Sequence, residues 1–236
     1  MPDGTLVDRE SGTPQGAVVS PVLANLFLHY AFDEWMRREY PTIPFERYAD
    51  DAICHCASEQ QALDLRRALE KRLAECRLRL HPQKTKIVYC KDANRPGEYP
   101  ERSFDFLGYT FRPRVAVGRG RQRFVSFIPA VSDKAAKGMR QEVRRWGLHL
   151  RSDLELEDIA KWVRPTLVGW MRYYGRFYPS KLREELRTID AFIVRWVSRK
   201  YKRFRGHTLA AWDWLRSLRR RIPNLFAHWT LGPAAG

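Results

Sequence analysis

The feature that most constrains this chain is a change of hydrophobic period near residue 131. Before it, apolar residues come in short alternating runs, mixed with helical stretches and set off by turn residues. After it, from 132 to about 221, they recur only at helical spacing. Mixed elements first and helices alone afterwards predict an α+β chain, with antiparallel strands packed with helices and then an α-helical bundle. Three segments are expected: 1–111 mixed, 112–131 a pair of basic connecting strands, and 132–236 helical.

Charge divides along the same line. Residues 1–111 hold 15 Lys/Arg against 17 Asp/Glu, a net of −2; residues 112–236 hold 28 against 10, a net of +18. So lopsided a surplus points to a polyanion partner, with RNA or DNA favoured over a membrane surface. Interleaved aromatics (Trp146, Trp162, Trp170, Tyr173, Tyr174, Phe177, Tyr178, Trp196, Tyr201, Phe204) divide between core packing and faces on which bases can stack. No apolar run reaches the roughly 18 residues of a membrane span, and no secretory signal is visible at Met1. Cys54, Cys56, Cys76 and Cys90 have no zinc spacing, since the neighbours in Cys54-His55-Cys56 point to opposite faces of a strand. They read as reduced thiols of a cytoplasmic protein.

Along the chain, Gly12-Thr13-Pro14-Gln15-Gly16 is a turn-rich loop open to backbone approach by a ligand. Ser20-Pro21 is the expected start of a helix that runs to about Tyr40 and is closed by Pro41. Phe45-Glu46-Arg47-Tyr48-Ala49-Asp50-Asp51-Ala52-Ile53-Cys54 places two carboxylates between two β-prone runs, the pattern of a tight hairpin with both acids at its tip. Hard cations such as Mg²⁺ are held by one or two carboxylates plus substrate phosphates, so Asp50 and Asp51 are the candidate metal ligands and catalytic carboxylates.

Ser58 with Gln61 forms a capping box for a helix with Ala62, Leu65, Leu69, Leu73 and Cys76 on one face. Ile87-Val88-Tyr89 is an expected strand, and 104–111 an expected hairpin bent at Gly108. Residues 112–130 predict a strand pair joined through Gly118-Arg119-Gly120. Ser132-Asp133 opens a first helix ending near Gly147; 154–174 gives a second, broken at Pro165; 180–204 gives a third with Leu182, Leu186, Ile189, Phe192, Ile193 and Trp196 on one side.

The order of four motifs carries a resemblance. Gly-Thr-Pro-Gln-Gly with Ser-Pro-x-Leu-x-Asn, then Tyr-Ala-Asp-Asp, then Leu-x-Leu-x-x-x-Lys-Thr, then Phe-Leu-Gly-Tyr resembles the palm of a group II intron-encoded reverse transcriptase. The stretch from Trp162 to Tyr174 and the basic run from Lys202 to Gly206 resemble that family's thumb and maturase-specific region. The resemblance implies that Gln15 and Gly16 lie against the incoming nucleotide and template, and that Asp50 and Asp51 bind Mg²⁺. It implies Lys84 on the nucleotide side and Phe106, Leu107, Gly108 and Tyr109 as a primer grip. Arg195, Arg199, Lys200, Lys202, Arg203 and Arg205 become candidate contacts to intron RNA, with template RNA and a DNA primer as further partners.

The departure from the family's pattern also has a consequence. The fingers region and the first carboxylate motif have no counterpart in these 236 residues, since Asp3 and Asp8 sit in no apolar strand. The expectation is RNA-directed DNA polymerase ancestry with activity only if a separate N-terminal fingers/palm chain supplies the missing parts. The alternatives are an RNA-binding maturase remnant without polymerase activity, and a decayed fragment without function.

Overall fold

The computed structural model describes residues 18–231, apart from Pro96 and Arg119, in two compact units, 1–87 and 88–236. The Gly12–Gly16 loop, with Gln15 and Gly16, lies outside the described residues. The chain is mixed helix and strand, an α+β architecture with small antiparallel sheets.

In the first unit, α1 (Ser20–Leu28) passes through a π turn (His29–Asp33) into α2 (Glu34–Glu39). The helix cap is Val19, so Ser20 and Pro21 are both inside the first turn. A π turn carries one extra residue per turn, and Ala31, Phe32 and Asp33 are successively buried there. Strands β1 (Phe45–Tyr48) and β2 (Asp51–Cys54) pair antiparallel with Tyr48 opposite Asp51, leaving Ala49 and Asp50 as a two-residue turn. Helix α3 (Glu59–Glu75) starts at the expected Ser58, which accepts a bond from the Gln61 backbone N–H at 3.1 Å, but the reciprocal half of the expected box is displaced by one residue, the Gln61 side chain accepting from Ala57 N at 2.6 Å. Phe32, Met36, Ile43 and Leu65 form the core. The Phe32 and Phe45 rings meet edge-on at 5.2 Å, which ties the hairpin to the π turn. Arg72 of α3 donates to the Ala31 carbonyl at 3.1 Å.

The expected strand at Ile87-Val88-Tyr89 does not form. Those residues have no ladder partner strand, and the division between the two units falls at 87/88.

The second unit opens with a meander: β3 (Phe104–Phe106), β4 (Tyr109–Val117) and β5 (Arg123–Val131), all antiparallel. The expected segment boundary at 111/112 therefore falls within β4. Ser132 then caps α4 (Asp133–Arg145), its hydroxyl accepting from Ala135 N at 3.1 Å. Helix α5 (Leu156–Tyr174) runs unbroken through Pro165, against expectation. Pro165 lies on the exposed side, where water can take over the carbonyl it leaves unbonded. Helices α6 (Pro179–Lys200) and α7 (Thr208–Arg221) and a 3₁₀ turn (Ala227–Thr230) complete the unit. The core joins Val143, Ile159, Val163, Leu167, Leu182, Leu186, Ile189, Ile193, Trp196 and Phe226, every one within 2% of complete burial. The apolar side of α6 is thus the one its spacing indicates, with Phe192 at the margin. No helix among the described residues is long and apolar enough to cross a membrane.

Candidate active-site hairpin and nucleic-acid interface

The turn carrying the paired acids adopts an unusual backbone. Ala49 has φ +53°, the left-handed region, which costs a residue with a Cβ about 1 kcal/mol. The chain supplies a compensating brace. Arg47, inward on β1, reaches Asp33 with both arms of its guanidinium, Nε to Oδ1 and Nη2 to Oδ2, each at 2.7 Å. Its remaining nitrogen, Nη1, donates to the Ala49 carbonyl at 2.8 Å and to Asn25 Oδ1 at 3.0 Å.

One side chain therefore ties α1, the π turn and the hairpin tip together. The pair is largely excluded from water, and the Arg47 guanidinium holds the Asp33 carboxyl below its ordinary range against the opposing effect of burial. The sequence motifs do not single out Asp33 or Arg47. The signal was present, however: Arg47 shares a strand face with Phe45, and an inward-facing charge needs a partner.

Asp50 and Asp51 stand exposed at the tip. Two carboxylates on a fixed turn fit the one-or-two-acid mode in which a hard divalent cation shares its remaining positions with phosphate and water. Among the described residues, no group of three or more His, Cys, Asp or Glu side chains is placed to hold a metal. Lys84 is exposed in a turn at 82–84 of the same unit. His55 bonds Glu46 at 2.5 Å across the hairpin, while burial pushes the Cys54 thiol up to about 12, with Cys56 and Glu46 adding to the shift.

In the second unit, Phe106, Leu107, Gly108 and Tyr109 form a tight hairpin. Leu107 (φ +50°) and Gly108 (φ +78°) are its two central residues, and the type I′ turn needs positive φ at both. A Cβ on Gly108 would sit 2.7 Å from the Tyr174 hydroxyl. Tyr109 is buried, its hydroxyl donating to the Tyr173 carbonyl, while the Tyr173 hydroxyl donates to the Leu107 carbonyl at 2.8 Å. Of these four, Leu107 is the one exposed outright.

The basic candidates divide as well. Arg195, Arg199, Lys202, Arg203 and Arg205 are exposed. Arg195 lies over the Phe192 ring at 5.2 Å and Arg203 over the Phe204 ring at 4.6 Å, each a flat platform with a charge on top. Lys200 is committed to the protein, its Nζ bonding the Leu154 carbonyl at 2.5 Å and Glu155 Oε1 at 2.6 Å. Of the ten aromatics, Trp146, Trp196 and Phe204 are buried, whereas Trp162, Tyr173 and Phe177 keep nearly half their surface.

Comparison with known families bears on both units. Residues 5–111 match the family model of the reverse transcriptases (RNA-dependent DNA polymerases), and residues 136–213 match that of the group II intron maturase-specific domain. A search of curated proteins finds no match. Polymerases of the first family use divalent metal ions, and both domains imply nucleic-acid binding.

Proposed function

The chain belongs to the group II intron-encoded reverse transcriptases/maturases, and on that premise we propose how its two parts divide the work. The helical unit clamps intron RNA and assists its splicing. The Asp50–Asp51 hairpin contributes two ligands of a Mg²⁺ site for adding a deoxynucleotide to a DNA primer on an RNA template. Polymerisation then depends on a further carboxylate and a fingers region supplied by a separate N-terminal polypeptide.

The observation that carries this reading is the Arg47 brace: three hydrogen-bonded anchors hold a strained turn whose exposed product is a pair of adjacent acids. A solvated surface turn has no need of it. Bound Mg²⁺ would supply neutralisation of charge on the phosphoryl oxygens. The chain's own residues do the positioning. Asp50 and Asp51 present oxygen ligands, and Lys84 offers a charge on the nucleotide side. The Leu107–Gly108 turn, fixed from beneath by Tyr173 and Tyr174, offers an exposed edge to a primer strand. Gln15 and Gly16 serve the template–nucleotide pair.

The separate polypeptide has a surface to meet. Val22, Leu23, Leu26 and Phe27 are exposed along α1, with Tyr30 of the π turn following at the same spacing, and no α1 residue is buried. Leu23, Leu26 and Phe27 line an apolar groove of about 510 Å³ with Tyr30, Ala31, Arg72 and Cys76.

The test is Mg²⁺-dependent primer extension on an RNA template, with Asp51→Asn as control, run beside salt-dependent binding of structured RNA. The expected result is RNA binding without extension by the chain alone, and extension abolished by D51N once an N-terminal fingers polypeptide of the family is added. Extension by the chain alone would overturn the dependence on a partner. Absence of RNA binding would leave the fragment-without-function reading.

A further inference from the structure

Outside both predicted sites, α6, α7 and the terminal 3₁₀ turn border a half-open cavity of about 310 Å³, lined by Arg183, Leu186, Arg187, Asp190, Arg219 and His228. Three arginines and one aspartate stand on its walls, so the formal charge around this small space is positive. Arg183 donates Nε to the Leu231 carbonyl at 3.0 Å, and Arg219 donates to the Trp229 carbonyl at 3.2 Å. Each keeps further N–H groups, because a guanidinium has five. Arg187 is exposed and makes no hydrogen bond or ion pair among the described residues.

The acid in the cavity is the more specific clue. Asp190 is 8% exposed, and a single oxygen, Oδ1, accepts both its bonds, from Trp229 Nε1 at 2.8 Å and from the His228 ring at 2.9 Å. The second oxygen, Oδ2, has no donor among the described residues. A carboxylate is an acceptor alone, so a ligand that fills this cavity must bring anionic oxygens for the guanidiniums and a hydroxyl for Asp190. The RNA backbone has both, as phosphate beside the ribose 2′-hydroxyl; the DNA backbone has no such donor. The volume lies at the low end of small-ligand sites, about 300 Å³, room for one phosphate–ribose unit.

We propose that this cavity is a ribose-phosphate pocket, in which Arg183, Arg187 and Arg219 hold a backbone phosphate of RNA and Asp190 accepts a hydrogen bond from the neighbouring 2′-hydroxyl. The proposal rests on the RNA-binding reading of the helical unit and adds a defined contact, with a preference for RNA over DNA. It also gives the paired His228 and Trp229 a role: by occupying Oδ1 they leave Oδ2 turned to the ligand.

Arg187→Gln is the clean variant, because it removes no bond of the free protein. Arg216→Gln, on an exposed Arg of α7 outside the cavity that is paired with Asp213, removes the same charge and serves as control. The full chain is titrated with a short labelled single-stranded RNA and its DNA counterpart, with inorganic phosphate as competitor, over a range of salt. R187Q is expected to bind RNA about tenfold more weakly. Its log-affinity against log-salt slope should be shallower by about 0.7, with an unchanged thermal midpoint. R216Q should lose far less. Asp190→Asn should bring the RNA-to-DNA affinity ratio close to unity.

Equal losses in R187Q and R216Q would overturn the pocket while leaving RNA binding by the unit intact. An RNA-to-DNA ratio already at unity in the natural chain would overturn the role of Asp190. Phosphate bound by the natural chain and not by R187Q, with RNA affinity the same in both, would reassign the cavity to a free anion and overturn the RNA assignment. A natural chain that binds no RNA in any salt would instead bring down the underlying reading of the unit.

Discussion

Arg47 shows how much one side chain can decide. A lysine in its place keeps the charge but loses the planar fork, and cannot reach Asp33 with two bonds while also holding Ala49 and Asn25. Arg47→Lys is therefore expected to lower stability by about 2 kcal/mol, read by denaturant unfolding. In a complemented enzyme it should reduce turnover more than primer–template affinity, because the acids are misplaced and the grip is untouched. The Asp33 carboxyl lies below its unfolded value of 3.8, so its contribution is complete above that value and is lost as pH falls through the folded one. Acid unfolding followed by a probe in the first unit should accordingly flatten at low pH in Asp33→Asn. Cys54 acts at the other end of the scale. Its thiol stays protonated in the folded chain up to about 12, against 9.0 for a free one, so stability falls as pH rises above 9.0. Cys54 should resist alkylation at pH values where unfolded chain reacts.

At the scale of elements, turns and caps were the most legible parts. The Asp-Asp hairpin, the Gly108 hairpin, the Ser58 and Ser132 caps and the buried side of α6 all follow from local residue chemistry that tertiary packing reinforces. What sequence could not deliver depends on partners far along the chain. Ile87-Val88-Tyr89 has strand composition but no neighbouring ladder. Pro165 looks like a break, yet its unbonded carbonyl faces water. The π turn at His29–Asp33 has no local signature, and it is the element that brings Asp33 to Arg47. Gly108 offers the sharpest test of an element. Gly108→Ala meets both a positive φ and the Tyr174 hydroxyl at 2.7 Å, and should cost about 1–3 kcal/mol, read as a lowered thermal midpoint of the second unit. Tyr173→Phe, which removes only the bond to the Leu107 carbonyl, should cost about 1 kcal/mol.

For the molecule as a whole, the two units carry different liabilities. The helical unit has a core of fully buried Leu, Ile and Trp, whereas the first unit leaves the apolar stripe of α1 exposed. Leu26→Asp is expected to abolish complementation by an N-terminal polypeptide in primer extension while leaving RNA affinity unchanged, because the substitution lies outside the RNA-binding unit. The same bare stripe sets a rule for the cell. Exposed Val, Leu and Phe in a row are what chaperones and quality-control proteases recognise, so a molecule with its stripe uncovered turns over quickly and one that has found its cover persists. The steady-state amount of this protein would then follow the supply of whatever covers α1, and surplus copies would be cleared without any dedicated regulator.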